Sequence, residues 1–238
     1  MPHTKKDMLQ TKKDMPYTKK DMPHTKKAVL MLASVASMID QFNMPNIRLL
    51  QEMGYEVHVA CNFLEGNTCD ARRLKKLKET LDAAGVVWHQ WDCPRDIASI
   101  KKCWKAYMQL LRLFEKYAFA WIHCHSPIGG ALARMAAGPR GIRVIYTAHG
   151  FHFYRGAPLR SWLLYYPVEK LLARWTDMLL TVNREDYRLA RRRLKAGAVY
   201  YIPGVGIDVE RFSVPEQCGQ PKRKDARFLK EFGLPKDA

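Results

Sequence analysis

The chain has 238 residues, 47% of them apolar, 11% aromatic and 26% charged, which is too apolar and aromatic for a disordered polymer and long enough for one large domain or two small ones. Lysine and arginine number 40 against 23 acidic residues; the formal charge of +17 predicts attraction to anions, whether nucleic acid, lipid headgroups or phosphorylated small molecules, without choosing among them. The longest apolar run, residues 28–39, carries two serines and falls short of the roughly 20 residues a spanning helix needs, which argues against an integral membrane protein.

Residues 1–27 repeat with a period of seven, Thr4, Thr11, Thr18 and Thr25 each opening a Thr-Lys-Lys unit. Pro16 and Pro23 interrupt any helix, and one Met per unit makes no coiled-coil seam, so a disordered basic tail is expected. Such a tail either touches anionic lipid or is a duplicated leader with no role. Lys26-Lys27 ahead of Ala28 has the outline of a secretory signal, but a first buried strand is the preferred reading. Six cysteines with no CxxC pair point to reduced thiols in a cytosolic protein.

Ala28–Ser34 is a continuous apolar run suited to a buried parallel strand. Met44, Ile47, Leu50 and Met53 at helical spacing predict a helix over Asn43–Met53, ended by Gly54. Glu56–Cys61 reads as a second strand, Arg72–Ala84 as a basic helix closed by Gly85, and Val86–Trp91 as a third strand. Trp104, Tyr107, Met108, Leu111 and Phe114 line one face of a helix over Ile100–Lys116. Phe119–His125 is strand four, and Ser126-Pro127 makes a helix start for Ile128–Ala137. Arg143–Ala148, Asp177–Val182 and Val199–Ile202 supply strands five to seven. Between them lie helices over Leu159–Arg174 and Arg184–Leu194, the second capped by Asn183. This alternation predicts an α/β fold, a doubly wound parallel sheet of Rossmann type with right-handed crossovers.

Ligands of such sheets bind beyond the carboxyl ends of the strands, near the point where strand order reverses, so candidate site residues are those that follow strands. Ser34, Ser37 and Met38 follow strand one; Ser126, Gly129 and Gly130 follow strand four; His149, Gly150 and Phe151 follow strand five. The turn from Ser126 to Gly130 opens a helix whose free N–H groups suit a phosphate or sugar hydroxyl, or else it is an ordinary capped helix with glycines for close packing. His149, ahead of a glycine, is the candidate catalytic residue, able to donate to a sugar hydroxyl or a developing charge. No GxGxxG and no Walker lysine motif is present. His123 and His125 share one strand face while Cys124 takes the other, so no metal site is expected. The basic run Arg184–Lys195 reads as a mostly solvated helix face, with contact to an anionic membrane or a phosphate left open, and nucleic acid is not an expected partner because no recognition module accompanies it. The segment from Trp162 to Val168 reads as core rather than anchor, with peripheral membrane association left open.

Three stretches carry a family resemblance: residues 122–130 (IHCHSPIGG), 144–153 (VIYTAHGFHF) and 201–208 (YIPGVGID) with Phe212. Together they resemble the N-terminal domain of family 4 glycosyltransferases, in particular the bacterial group that builds capsular and exopolysaccharides. The resemblance implies the N-terminal, acceptor-side half of a GT-B fold over residues 28–213. It implies transfer of a sugar from a nucleotide-sugar to a glycan or lipid-linked acceptor at the cytoplasmic face of the plasma membrane, retaining and without metal or other cofactor. It also places His149 near the transferred sugar, and Ser34–Met38 and Ser126–Gly130 along the acceptor side. Residues 214–238 then read as a linker and the start of a donor-binding domain that is missing, so the chain is expected to be inactive without that half. The alternative is a non-catalytic remnant that binds acceptor or a partner.

Overall fold

The computed structural model describes residues 26–96 and 99–206. The repeat before Lys26, the Asp208 and Phe212 part of the third resemblance stretch, Cys218 and the expected linker lie outside them. Seven strands form one sheet: β1 (Ala28–Val35), β2 (Glu56–Asn62), β3 (Val87–Gln90), β4 (Phe119–His125), β5 (Arg143–Ala148), β6 (Met178–Thr181) and β7 (Ala198–Tyr201). Every pairing is parallel, in the order β3-β2-β1-β4-β5-β6-β7. The order therefore reverses between β1 and β4.

Hydrophobic side chains fill both faces. The first face carries α1 (Ala36–Met38, a π-helical turn Ile39–Asn43, then Met44–Glu52) and α2 (Ala71–Ala83). These pack Ile39, Ile47, Leu77 and Leu81 against Val29, Met31, Val57 and Val59. The opposite face carries α3 (Ile100–Lys116), α4 (Pro127–Ala137), α5 (Leu159–Leu172) and α6 (Arg184–Arg193), closing over Leu30, Leu32, Ile122 and Val144. Alternate residues of β1 thus serve two cores, which is why the strand reads as an unbroken apolar run.

Helix boundaries follow local chemistry. Asp70 caps α2 by accepting from the Arg73 N–H at 2.8 Å, and Asn183 caps α6 by accepting from the Asp186 N–H at 2.8 Å. Gly54 and Gly85 stand past α1 and α2 at φ +88° and +67°, where a Cβ would be strained. Two expectations need correction. The first helix begins at Ala36, directly after β1, so no loop separates them. Pro45 has no N–H for the Gln41 carbonyl, and its ring would crowd that turn; the widened π turn just before it accommodates both. The second correction concerns Ser126, whose side chain makes no capping bond to α4. The long fifth helix ends at Leu172 and tightens into a 3₁₀ turn, Ala173–Trp175.

Candidate functional site

β1 and β4 lie side by side where the sheet reverses, Leu32 opposite Cys124, so Ser34 and Ser126 emerge together at the carboxyl edge. Their hydroxyl oxygens are 2.5 Å apart, and the Ser126 hydroxyl also reaches the His125 carbonyl at 2.5 Å. A carbonyl only accepts, so Ser126 donates to it and Ser34 donates to Ser126. Both hydroxyl protons are then committed inside the protein, and each oxygen can only accept from a ligand. The Cys93 thiol lies 3.4 Å from the Ser34 oxygen and completes the cluster.

Ser126 pays for this arrangement with its backbone: φ is +66° and ψ 150°, a region almost reserved for glycine. Gly129 is required beside it, since a Cβ there would come 2.8 Å from the Ser126 oxygen and 2.9 Å from that of Ser34. A Cβ on Gly130 would stand 2.5 Å from the Tyr146 ring. These two glycines bring α4 down onto the sheet, and the uncapped first turn of α4 sits beside the serine pair.

His149 follows β5 and is half-buried. Its Nε2 lies 3.2 Å from Nδ1 of His125, which is itself buried, and the His123 ring lies 4.3 Å from that of His125, tilted by 38°. His123 Nε2 lies 2.8 Å from the Thr147 hydroxyl, while the Cys124 thiol turns away to the Ile145 carbonyl. Burial holds all three imidazoles neutral, pulling His123 down to about 4, His125 well below the usual range and His149 below it. Neighbouring imidazoles add to the effect on His123 and His125.

One proton lies between His125 and His149, and its placement follows from the surroundings. His125 Nε2 is buried with no hydrogen-bond partner. A proton there would be an orphaned donor, so it sits on Nδ1 and is donated to His149 Nε2. His149 must then carry its own proton on Nδ1, leaving that N–H for a ligand at the sheet edge.

The other expected site residues have structural partners. Ser37 is buried; its N–H donates to Asn67 Oδ1 at 3.0 Å and its oxygen accepts from the Thr68 N–H, so it fastens the loop after β2 onto α1. Met38 packs on the α1/α2 core. Gly150 needs its φ of +135°, with open space where a Cβ would be. The Phe151 ring is in the core, stacked 4.8 Å from Phe153, while its N–H donates to Asp186 Oδ2 at 2.9 Å.

Sequence reasoning missed the groups that hold this edge in place. Glu185 accepts from the Arg155 N–H, so with Asp186 the first turn of α6 grips the loop carrying His149. Arg134, wholly buried, makes a two-pronged pair with Glu169 of α5 and donates through Nε to the Gly130 carbonyl. The signal for Asp186 was an acid three residues past a capping asparagine; Arg134 gave none beyond a cation in an otherwise apolar helix. A cleft lined by Arg174, Trp175, Asp177 and Lys195 opens at the opposite edge, where β5–β7 begin, away from this cluster.

Free thiols at Cys61, Cys93 and Cys124 are buried, and burial raises them, Cys93 and Cys124 to about 12; Cys69 and Cys103 are also free. No helix among the described residues is long and apolar enough to cross a membrane.

Residues 44–204 match the family described as "Glycosyl transferase 4-like domain". The chain is 37% identical over 207 residues to the Bacillus subtilis (strain 168) protein EpsD, named as a glycosyltransferase, covering 85% of this chain and 50% of that one. It is 25% identical over 200 residues to an Escherichia coli UDP-Gal:alpha-D-GlcNAc-diphosphoundecaprenol alpha-1,3-galactosyltransferase, covering 83% and 49%. The chain thus spans about half the length of the curated relatives it matches. Among solved structures, sucrose-phosphate synthase from Thermosynechococcus elongatus superposes with a TM-score of 0.51 at 14% identity, over 88% of this chain and 53% of that one, a likeness of fold. The sheet is that of the N-terminal half of a GT-B protein.

Proposed function

This chain belongs to the glycosyl transferase 4-like family, and from that membership we propose that residues 28–213 are the acceptor-side half of a two-lobed enzyme moving a sugar from a nucleotide-sugar to a glycan or lipid-linked acceptor. The observation that carries this reading is the meeting of the β1, β4 and β5 ends at the reversal of the sheet, with the Ser34–Ser126 pair tied through His125 to His149. Crevices at that position are where such sheets bind ligands.

The chemistry fits a sugar. A neutral His149 offers one N–H to a hydroxyl of the transferred sugar or to charge developing there, and the two serine oxygens accept from hydroxyls of the acceptor. Gly150 leaves room for either to approach. What the described edge does not supply is a set of cations facing a leaving diphosphate, which transfer needs for positioning and charge stabilisation. We assign that task to a donor-binding lobe beyond residue 213, and these 238 residues alone are expected to transfer little sugar. The name of the Escherichia coli relative, with its diphosphoundecaprenol acceptor, supports a lipid-linked acceptor; we infer that the work is done at the inner face of the plasma membrane.

Calorimetry tests the division of labour. A detergent-solubilised polyprenyl-diphosphate sugar should bind the chain, and a nucleotide-sugar should bind weakly. No binding of the polyprenyl-linked sugar overturns the acceptor assignment; rapid sugar transfer by the chain alone overturns the two-lobe requirement.

A further inference from the structure

The amino ends of β5, β6 and β7 are stitched together by main-chain bonds. The Asp177 N–H donates to the Val144 carbonyl, that of Gly197 to Thr176 and that of Ala198 to Asp177. Over this floor opens the cleft at the opposite edge from the sugar crevice, about 360 Å³ in volume and so within the range of small-molecule sites. Two glycines let its walls close. A Cβ on Gly138 would run into Cγ of Trp175, and one on Gly197 would come 2.7 Å from the Asp177 carbonyl oxygen. Trp175, half-buried against Gly138, gives the cleft a flat wall.

Arg143, Arg174 and Lys195 line the cleft and are all exposed. Asp177 is the acid among its lining residues, and its Oδ2 accepts from the Val144 N–H at 2.7 Å. Three cations against one carboxylate leave the cleft at a net +2. Cations near helix carboxyl ends ordinarily answer the terminal carbonyls. Here those of α4 and α5 have other donors: Arg140 serves Ala136, the Ile142 N–H serves Ala137, the Gly141 N–H serves Gly138, and the Thr176 hydroxyl serves Leu172. The side chains of Arg174 and Lys195 make no hydrogen bond or ion pair among the described residues. Two uncommitted cations in a concave space concentrate a positive potential there.

We propose that this cleft is a second ligand site, for a small phosphate-bearing anion, with Arg174 and Lys195 gripping the phosphate and the Trp175 indole flanking whatever the phosphate carries. It goes beyond the transfer reading and stands on the other edge of the sheet, so either can fail alone. Calorimetry on the full chain should find one site for inorganic pyrophosphate or for glucose-6-phosphate, weakened by added salt. Tighter binding of pyrophosphate assigns the cleft to a free anion; tighter binding of the sugar phosphate assigns the indole to a sugar ring. Arg174→Gln with Lys195→Gln should weaken the preferred ligand about tenfold or more, with an unchanged circular dichroism melt. Arg72→Gln with Lys76→Gln removes the same charge from exposed positions on α2, at the β2–β3 end of the sheet, and should leave binding as it was. In nitrogen–proton NMR spectra the Trp175 indole resonance, assigned through Trp175→Phe, should move as ligand is added. The proposal is overturned if neither anion binds at millimolar concentration, if the α2 variant weakens binding as much as the cleft variant, or if the Trp175 resonance stays still. It is equally overturned if single-stranded DNA binds more tightly and loses affinity in the cleft variant, because these cations would then belong to a nucleic-acid track.

Discussion

Arg134 is the side chain least suited to where it lies, fully buried between α4 and α5. Glu169 answers its charge with both oxygens, the Gly130 carbonyl takes Nε, and the Tyr146 ring lies 4.0 Å beneath the guanidinium. Such a pair holds two helices in register more than it adds stability. Removing one partner strands a charge: Glu169→Ala should cost about 3–5 kcal/mol in urea unfolding. The double change Arg134→Met with Glu169→Leu should cost clearly less, and equal costs would deny the pairing its role. At His149 the argument concerns a proton. If His125 donates to it, nitrogen-detected NMR at neutral pH should find His149 protonated on Nδ1, and His125→Phe should release it to the common Nε2 tautomer. An Nε2 proton on His149 in the parent protein would contradict the orphaned-nitrogen argument.

At the scale of elements, α4 is set by how close it comes to the sheet. Tyr146 is buried and cannot yield to a Cβ 2.5 Å from its ring, so Gly130→Ala should lift the helix and cost about 1–3 kcal/mol, measured as a lower urea midpoint. The glycines of this turn read equally well from sequence as ligand contacts or as packing; the Cβ positions favour packing for Gly130. All seven strands were legible, because each is a short apolar run bounded by turn residues, and caps such as Asn183 have local signatures. The start of α1 was not, since Ala36–Asn43 lacks the clean helical spacing that a π turn disrupts. The positive φ of Ser126 was equally hidden: Ser-Pro before a helix normally caps it, but here its hydroxyl donates to the His125 carbonyl and accepts from Ser34, on the strand end 92 residues earlier. The segment of α5 from Trp162 to Val168, read from sequence as core, is core only in part: Trp162, Tyr165 and Tyr166 pack on it, whereas Leu163, Leu164 and Val168 are exposed. Aromatic and aliphatic residues alternate around that helix, and sequence alone does not say which half the sheet covers.

Across the whole molecule the same burial that neutralises the strand-end imidazoles makes the fold sensitive to acid. His89 and His123 titrate at about 4 in the folded chain against about 6.5 when exposed, and burial lowers His125 and His149 in the same direction. A lowered value means the unfolded chain binds protons that the folded one refuses, so stability rises with pH through this window. It is therefore full above about pH 7 and lost progressively as the pH falls from about 6.5 to about 4. Carboxylates work lower: Asp92, held below its usual range by Gln90, Lys105 and Gln109, withdraws its contribution only once the medium is acidic enough to protonate it. The histidines accordingly govern the interval between about pH 6.5 and 4.5. Urea midpoints should be level from pH 8 to 7 and then decline steeply, with His123→Gln flattening that decline by close to one proton. A midpoint constant down to about pH 4.5 would mean that these rings are hydrated in solution, and with them the edge on which the sugar site is placed.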